Sequence, residues 1–218
     1  GAAAPLALAP AAMAERGSDG ALNIIMWQAP STMNPYLSGG TKELIASSMT
    51  LEPLAGMTPE GEHYTRLAAE IPTLENGGIS EDLKSVTWKL QEGLKWSDGT
   101  PVTSADVVFS GQYCMDPQGG CSQLAKFEGI ESIEAVDDLT VKINFTEPMP
   151  DPYSAFVGAN GPIIQKAQFE ACLGANAPTC TEQNFNPIGT GPFRVTQFLT
   201  NDVITFEANP EYRDPMKP

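Results

Sequence analysis

From Asn186 to Val195 the chain reads Asn-Pro-Ile-Gly-Thr-Gly-Pro-Phe-Arg-Val, and no other run restricts the backbone as much. Pro187 and Pro192 fix φ, while Gly189 and Gly191 allow turns that residues with a Cβ resist. The stretch is therefore a rigid loop that delivers the chain into a strand. Downstream, Ile204, Phe206 and Ala208 alternate with Val203, Thr205 and Glu207, the period of a strand, before Asn209-Pro210-Glu211-Tyr212. The glycines do not make a phosphate loop. No Gly-Lys-Ser/Thr follows them, and proline removes an N–H donor.

A second informative segment runs from Leu90 to Val107, Leu-Gln-Glu-Gly-Leu-Lys-Trp-Ser-Asp-Gly-Thr-Pro-Val-Thr-Ser-Ala-Asp-Val. Just before and into it, Val86, Trp88 and Leu90 alternate with Thr87, Lys89 and Gln91, which predicts a half-buried strand. Ser97-Asp98-Gly99 turns the chain. Thr103 with Asp106 three residues on approximates a capping box, so a helix is expected from Ser104.

Elsewhere the pattern mixes strands with few helices, as in α/β or α+β proteins rather than a bundle. Leu22 to Trp27 reads as a buried first strand, and Gln28 to Gly40 as turn-rich. Thr41-Lys42-Glu43 opens a helix with Leu44, Ile45 and Met49 on one face. A hairpin turn is expected at Pro59 to Glu62, and an exposed loop at Glu75 to Gly78. Ile133–Val136 and Leu139–Phe145 form a hairpin across Asp137-Asp138, with Val141, Ile143 and Phe145 facing inward. A short helix from Tyr153 leads to the Gly158-Ala159-Asn160-Gly161-Pro162 loop.

The formal net charge of −15 excludes a nucleic-acid backbone binder and argues against an anionic membrane surface. Residues 1–14 are apolar and end in Ala12-Met13-Ala14, like the end of a secretory signal, although the positive n-region is absent. A disordered Ala/Pro arm is the other reading. The cysteines fall into two near pairs, Cys114 with Cys121 and Cys172 with Cys180. Their even number, short spacing and the export-like leader predict two loop disulfides, each worth roughly 2.5 kcal/mol in the chain-entropy model. No zinc site is expected, because neither pair has C-x-x-C spacing and His63 is the single histidine. Catalysis by Ser/His/Asp or Cys/His would have to use that histidine, which sits in a polar, turn-rich stretch. Adjacent acids such as Asp137-Asp138 and Glu81-Asp82 read as solvated turn residues. No catalytic residue, metal or cofactor is assigned.

The loop at Asn186–Val195, the Leu90–Val107 segment, and Met33-Asn34-Pro35-Tyr36 with Leu51-Glu52-Pro53-Leu54-Ala55 resemble, in order and spacing, signatures of the oligopeptide/dipeptide-type solute-binding proteins of ABC importers, family 5. The resemblance implies the N-terminal lobe of a two-lobed periplasmic clamp, a mixed sheet with an inserted α+β subdomain. In that scheme 15–50 and 185–218 build the first-lobe sheet, 51–184 the insertion, and a second lobe lies beyond Pro218. It further implies a periplasmic monomer that captures a small peptide or peptide-like solute for a membrane permease. A secreted hydrolase or other enzyme is the alternative, and a chaperone-like or receptor module a third reading. Ligands of open sheets sit beyond the carboxyl ends of strands. That rule, with the resemblance, nominates Trp27, Ser38, Gly39, Gly40, Thr41 and Asn160 as ligand contacts.

Overall fold

The computed structural model describes residues 20–214. The reading of residues 1–14 as a signal remnant or arm lies outside the described residues.

Leu22–Trp27 does not form the expected buried strand. Among the described residues no strand pairs with it, and Leu22, Ile24, Ile25 and Trp27 are exposed, Ile25 to 98%. β-prone side chains hold a strand only where a neighbour completes the hydrogen-bond ladder and covers a face. The first regular element is instead helix α1 (Thr41–Ser47), which buries a different face from the expected one. Glu43, Ala46 and Ser47 point inward while Ile45 stays 44% exposed. Seven residues give an apolar stripe little length over which to act, and polar anchoring of Glu43 sets the rotation instead.

The chain then forms a small hairpin, β1 (Ala55–Met57) with β2 (His63–Thr65), turning where expected. The main sheet follows. Strand β3 (Ser85–Lys89), helix α2 (Ser104–Met115), β4 (Ile130–Asp137) and β5 (Thr140–Phe145) come in that chain order. The strands are arranged β3-β5-β4 and pair antiparallel. Val86 and Trp88 lie opposite Ile143 and Val141, and all four are buried. Helix α2 starts at the predicted residue, with the Thr103 N–H donating to Asp106 Oδ2 at 2.9 Å. It covers the sheet through Val107, Phe109 and Tyr113, and Gly111 lets Ile133 of β4 approach closely. Burial of each such large side chain contributes on the order of 1.5–3 kcal/mol.

No helix forms from Tyr153; residues 154–160 make turns and one isolated bridge. Phe156 takes φ 59° there, fully buried against Phe127 with ring centroids 5.3 Å apart, and its carbonyl accepts from the Leu54 N–H. Core packing of Phe156 outweighs local helix preference. Short helices α3 (Lys166–Phe169) and α4 (Thr181–Phe185) flank 3₁₀ turns. Both predicted disulfides are present, Cys114–Cys121 and Cys172–Cys180.

The final hairpin is β6 (Phe193–Phe198) with β7 (Ile204–Ala208). The loop that feeds it uses its glycines differently from the expectation. Neither Gly189 nor Gly191 has positive φ. A Cβ on Gly189 would lie 2.0 Å from the Thr50 carbonyl oxygen, and one on Gly191 2.8 Å from the carbonyls of Met49 and Thr50. Close approach therefore demands glycine, and the Gly191 N–H donates to Thr50 O at 2.8 Å.

Candidate functional site

Two of the nominated loops are joined, and helix α1 joins them. Glu43 Oε1 accepts from the Ser31 N–H and from the Ser31 hydroxyl, each at 2.8 Å. Lys42 Nζ lies 3.3 Å from the same oxygen and donates to the Ala29 carbonyl at 2.9 Å. The segment leaving Trp27 is thus fastened to the segment Ser38–Thr41. Gly40 is the N-cap of α1 in extended conformation, and its N–H donates to Ser38 Oγ at 3.3 Å. A Cβ on Gly40 would fall 2.3 Å from Glu43 Oε2, so glycine here makes room for the carboxylate. A Cβ on Gly39 would meet only Gln123 Nε2, at 3.5 Å.

Burial alone would raise the Glu43 carboxyl. The Ser31 N–H and hydroxyl, the residue's own amide and Lys42 outweigh it, and the group titrates below the ordinary carboxylate value. Its second oxygen, Oε2, is buried with no hydrogen-bond partner among the described residues. Glu43, Lys42 and Ser31 were not singled out from sequence. The available signal was an acid three residues after a glycine N-cap, the spacing of a capping box.

Of the nominated residues, Trp27 is 70% exposed and Gly39 and Thr41 are also exposed, whereas Ser38, Gly40 and Asn160 are half-buried. Asn160 sits on a turn held by Gly158 N–H to Ala55 O (2.9 Å) and Gly161 N–H to Gly158 O (3.0 Å). Tyr36 links that turn to the glycine loop, its hydroxyl donating to Pro162 O at 2.6 Å. Burial drives the Tyr36 phenol well above its usual value, so the hydroxyl stays a donor. Its ring packs near Tyr113, whose phenol burial pushes up to about 12 against a lowering contribution from Asn34.

The motif segments form the frame. Asp106 gathers the Trp96 indole N–H (3.3 Å), the Thr103 N–H and, on Oδ1, the Lys166 N–H (2.9 Å). The Ser97 N–H donates to Gly189 O at 2.9 Å, which joins two signature segments directly. Glu52, nearly fully buried, accepts two hydrogen bonds from Arg213, at 2.7 and 2.9 Å. Arg66 lies 3.8 Å away on the same carboxylate.

Two shallow depressions, of about 370 and 310 Å³, lie elsewhere, beside Glu134 and Asn144 and beside Ser97 and Arg194; neither includes a nominated residue. His63 lies against Tyr153, with ring centroids 4.5 Å apart and planes tilted by 39°. Among the described residues no group of three or more His, Cys, Asp or Glu is arranged to hold a metal ion, and no helix is long and apolar enough to cross a membrane. Exposed Trp27, bare glycine backbone and a half-buried amide can contact a ligand; they supply no nucleophile–base pair.

Residues 64–218 match the model of bacterial extracellular solute-binding proteins, family 5 Middle. Oligopeptide-binding protein OppA of Bacillus subtilis is 26% identical over 213 residues, covering 88% of this chain and 36% of OppA. Glutathione-binding protein GsiB of Shigella boydii is 27% identical over 188 residues, covering 86% of this chain and 34% of GsiB. Among solved structures, the PBP AgaA of A. tumefaciens R10 in complex with agropinic acid is similar at TM-score 0.72 and 26% identity, over 86% of this chain and 35% of that one. Haemophilus influenzae OppA in complex with RPPGFSPFR shares the fold at TM-score 0.70 and 24% identity, over 85% and 37%. The chain spans about a third of the length of the relatives it matches.

Proposed function

Because the chain belongs to the bacterial extracellular solute-binding proteins of family 5, we propose that it forms one wall of the solute site in an extracytoplasmic binding component of an ABC importer. The solute is a small peptide or a peptide-like molecule, handed on to a membrane permease without being transformed. The site comprises Trp27, Ser38, Gly39, Gly40, Thr41 and Asn160, in a monomer working in the periplasm. One observation carries this reading: Glu43 and Lys42 lash the Trp27 and Ser38–Thr41 loops together while Trp27 and Gly39 stay open to solvent. That is how loops are built to contact a ligand from a firm base.

The division into first lobe and insertion is part of the same proposal. It is supported by a separate small core of Met33, Ala46 and Val195, with Phe198, Ile204 and Phe206 packed against it. The larger core draws mostly on residues between Leu51 and Ala177, with Tyr36 reaching in from the first segment. A second lobe completes the clamp.

The test is calorimetric titration of a defined tripeptide mixture into residues 20–214 and into a full-length two-lobed protein. Buried sites cover most of a small ligand. Losing about 4 kcal/mol of contacts weakens binding roughly a thousandfold. Equal affinity for both proteins would overturn the clamp reading. Tripeptide recovered from the complex as hydrolysed fragments would favour the enzyme alternative.

A further inference from the structure

The carboxylate of Glu43 is unevenly satisfied. Oε1 takes the Ser31 N–H, the Ser31 hydroxyl and the Lys42 ammonium, while Oε2 is buried and has no hydrogen-bond partner among the described residues. A buried anionic oxygen left without a donor is costly, and such oxygens are normally paired. Lys42 makes its ion pair with this carboxylate at Oε1, 3.3 Å away. The group is held in its ionised form, since its titration is lowered despite burial.

What covers this oxygen is informative. It lies against Gly40, at a position where any Cβ would collide with it, and Gly39 beside it is exposed with almost nothing around its missing side chain. A bare glycine backbone at Gly40 thus lies against the one carboxylate oxygen, Oε2, that has no hydrogen-bond partner among the described residues. On the Gly40 side the neighbouring side chain is that of Ser38, whose hydroxyl oxygen would lie 3.5 Å from a Cβ placed on Gly40.

We propose that Glu43 Oε2 and the Gly39–Gly40 backbone form a subsite for a cationic nitrogen of the bound solute, of the lysine or arginine side-chain type. This rests on the solute-binding reading and narrows it, from peptide-like solutes to those bearing a positive side chain. The ammonium donates to Oε2 as the glycine loop shifts around it, supplying the missing partner. A neutral chain of the same length leaves the oxygen unpaired.

Full-length protein titrated with trilysine and with tri-(Nε-acetyl)lysine tests this, since both probes keep the terminal ammonium and differ in side-chain charge. Wild type should prefer trilysine at least tenfold, and Glu43→Gln should bring the two affinities within about twofold of each other. Gly40→Ala, whose Cβ would displace the carboxylate, should do the same, which keeps the test decisive if one variant fails to fold. Equal affinity of wild type for the two probes overturns the subsite alone. A preference that survives in a folded Glu43→Gln protein also overturns it. Binding of neither probe, nor of any tripeptide in the mixture, overturns the solute-binding reading and this inference with it.

Discussion

The sheet core and the glycine-loop edge treat their large side chains in opposite ways. Around β3 and β5, Trp88 and Trp96 are almost wholly hidden, and the polar groups that enter, such as Asp106, hold several hydrogen bonds. Along Leu22–Trp27 the large apolar side chains Leu22, Ile24, Ile25 and Trp27 are open to water, and under Gly40 a buried carboxylate oxygen has no hydrogen-bond partner among the described residues. The first region hides its large apolar side chains and stabilises the fold, although the Trp88 indole N–H is buried there without a hydrogen-bond partner among the described residues. The second leaves apolar side chains facing water, and in the function proposed above the solute covers Trp27. Sequence signatures sit mostly in the first region, so they identify the scaffold far better than the ligand.

The contrast is broken most directly by paired tryptophan substitutions. Trp88→Ala should cost about 3–5 kcal/mol in urea denaturation, from lost burial and the cavity left behind. Trp27→Ala should stay within about 0.5 kcal/mol, as exposed substitutions do, and weaken solute binding instead. Similar stability losses for both would erase the distinction. Next in size, replacing both Cys114 and Cys121 by Ser should lower stability by roughly 2.5 kcal/mol, read from the same denaturation curves. A loss near zero would show that the short loop is already ordered without its cross-link.

Gly189→Ala probes the seam between the regions. Its Cβ would meet the Thr50 carbonyl rather than a mobile side chain, and overpacking of this kind costs about 1–3 kcal/mol. Unchanged melting would mean that the loop can lift away from Thr50. The smallest effect concerns pH. The Glu43 carboxyl titrates below its ordinary value in the folded protein, so its contribution is fully present above the ordinary carboxylate range. It is lost as pH falls through the lowered folded value. The stability difference between wild type and Glu43→Gln should therefore shrink in acid, and a difference independent of pH would show that charge at Glu43 is irrelevant.

What could be read from sequence was what neighbours in sequence decide. Val86 and Trp88 alternate, Thr103 meets Asp106 three residues on, and each cysteine finds its partner within a short loop. The misreadings needed distant partners. Leu22–Trp27 has strand composition but no neighbour among the described residues, and Phe156 abandons helix for a left-handed turn because Phe127 and Leu54 hold it there. The face of α1 is turned by Ser31 binding Glu43, across twelve residues. Trp27, Ser38–Thr41 and Asn160 came from a rule about strand ends and from a family likeness; Glu43, which fastens two of those loops, announces itself only when Ser31 and Gly40 are seen beside it.

The bidentate bond between Glu52 and Arg213 joins positions 161 residues apart. During synthesis the carboxylate emerges long before the guanidinium that will neutralise it. Until then Glu52 has Arg66, 3.8 Å away, as a counter-ion but lacks the two charge-assisted hydrogen bonds from Arg213, so burial of the Leu51–Leu54 neighbourhood is less favourable while more than half of the chain is still being made. Its closure is a late event, and it ties the Leu51–Leu54 segment to the turn that follows β7. Amide exchange in a chain truncated at Ala208 should find Leu54 poorly protected, and full protection there would mean that Arg66 alone is counter-ion enough.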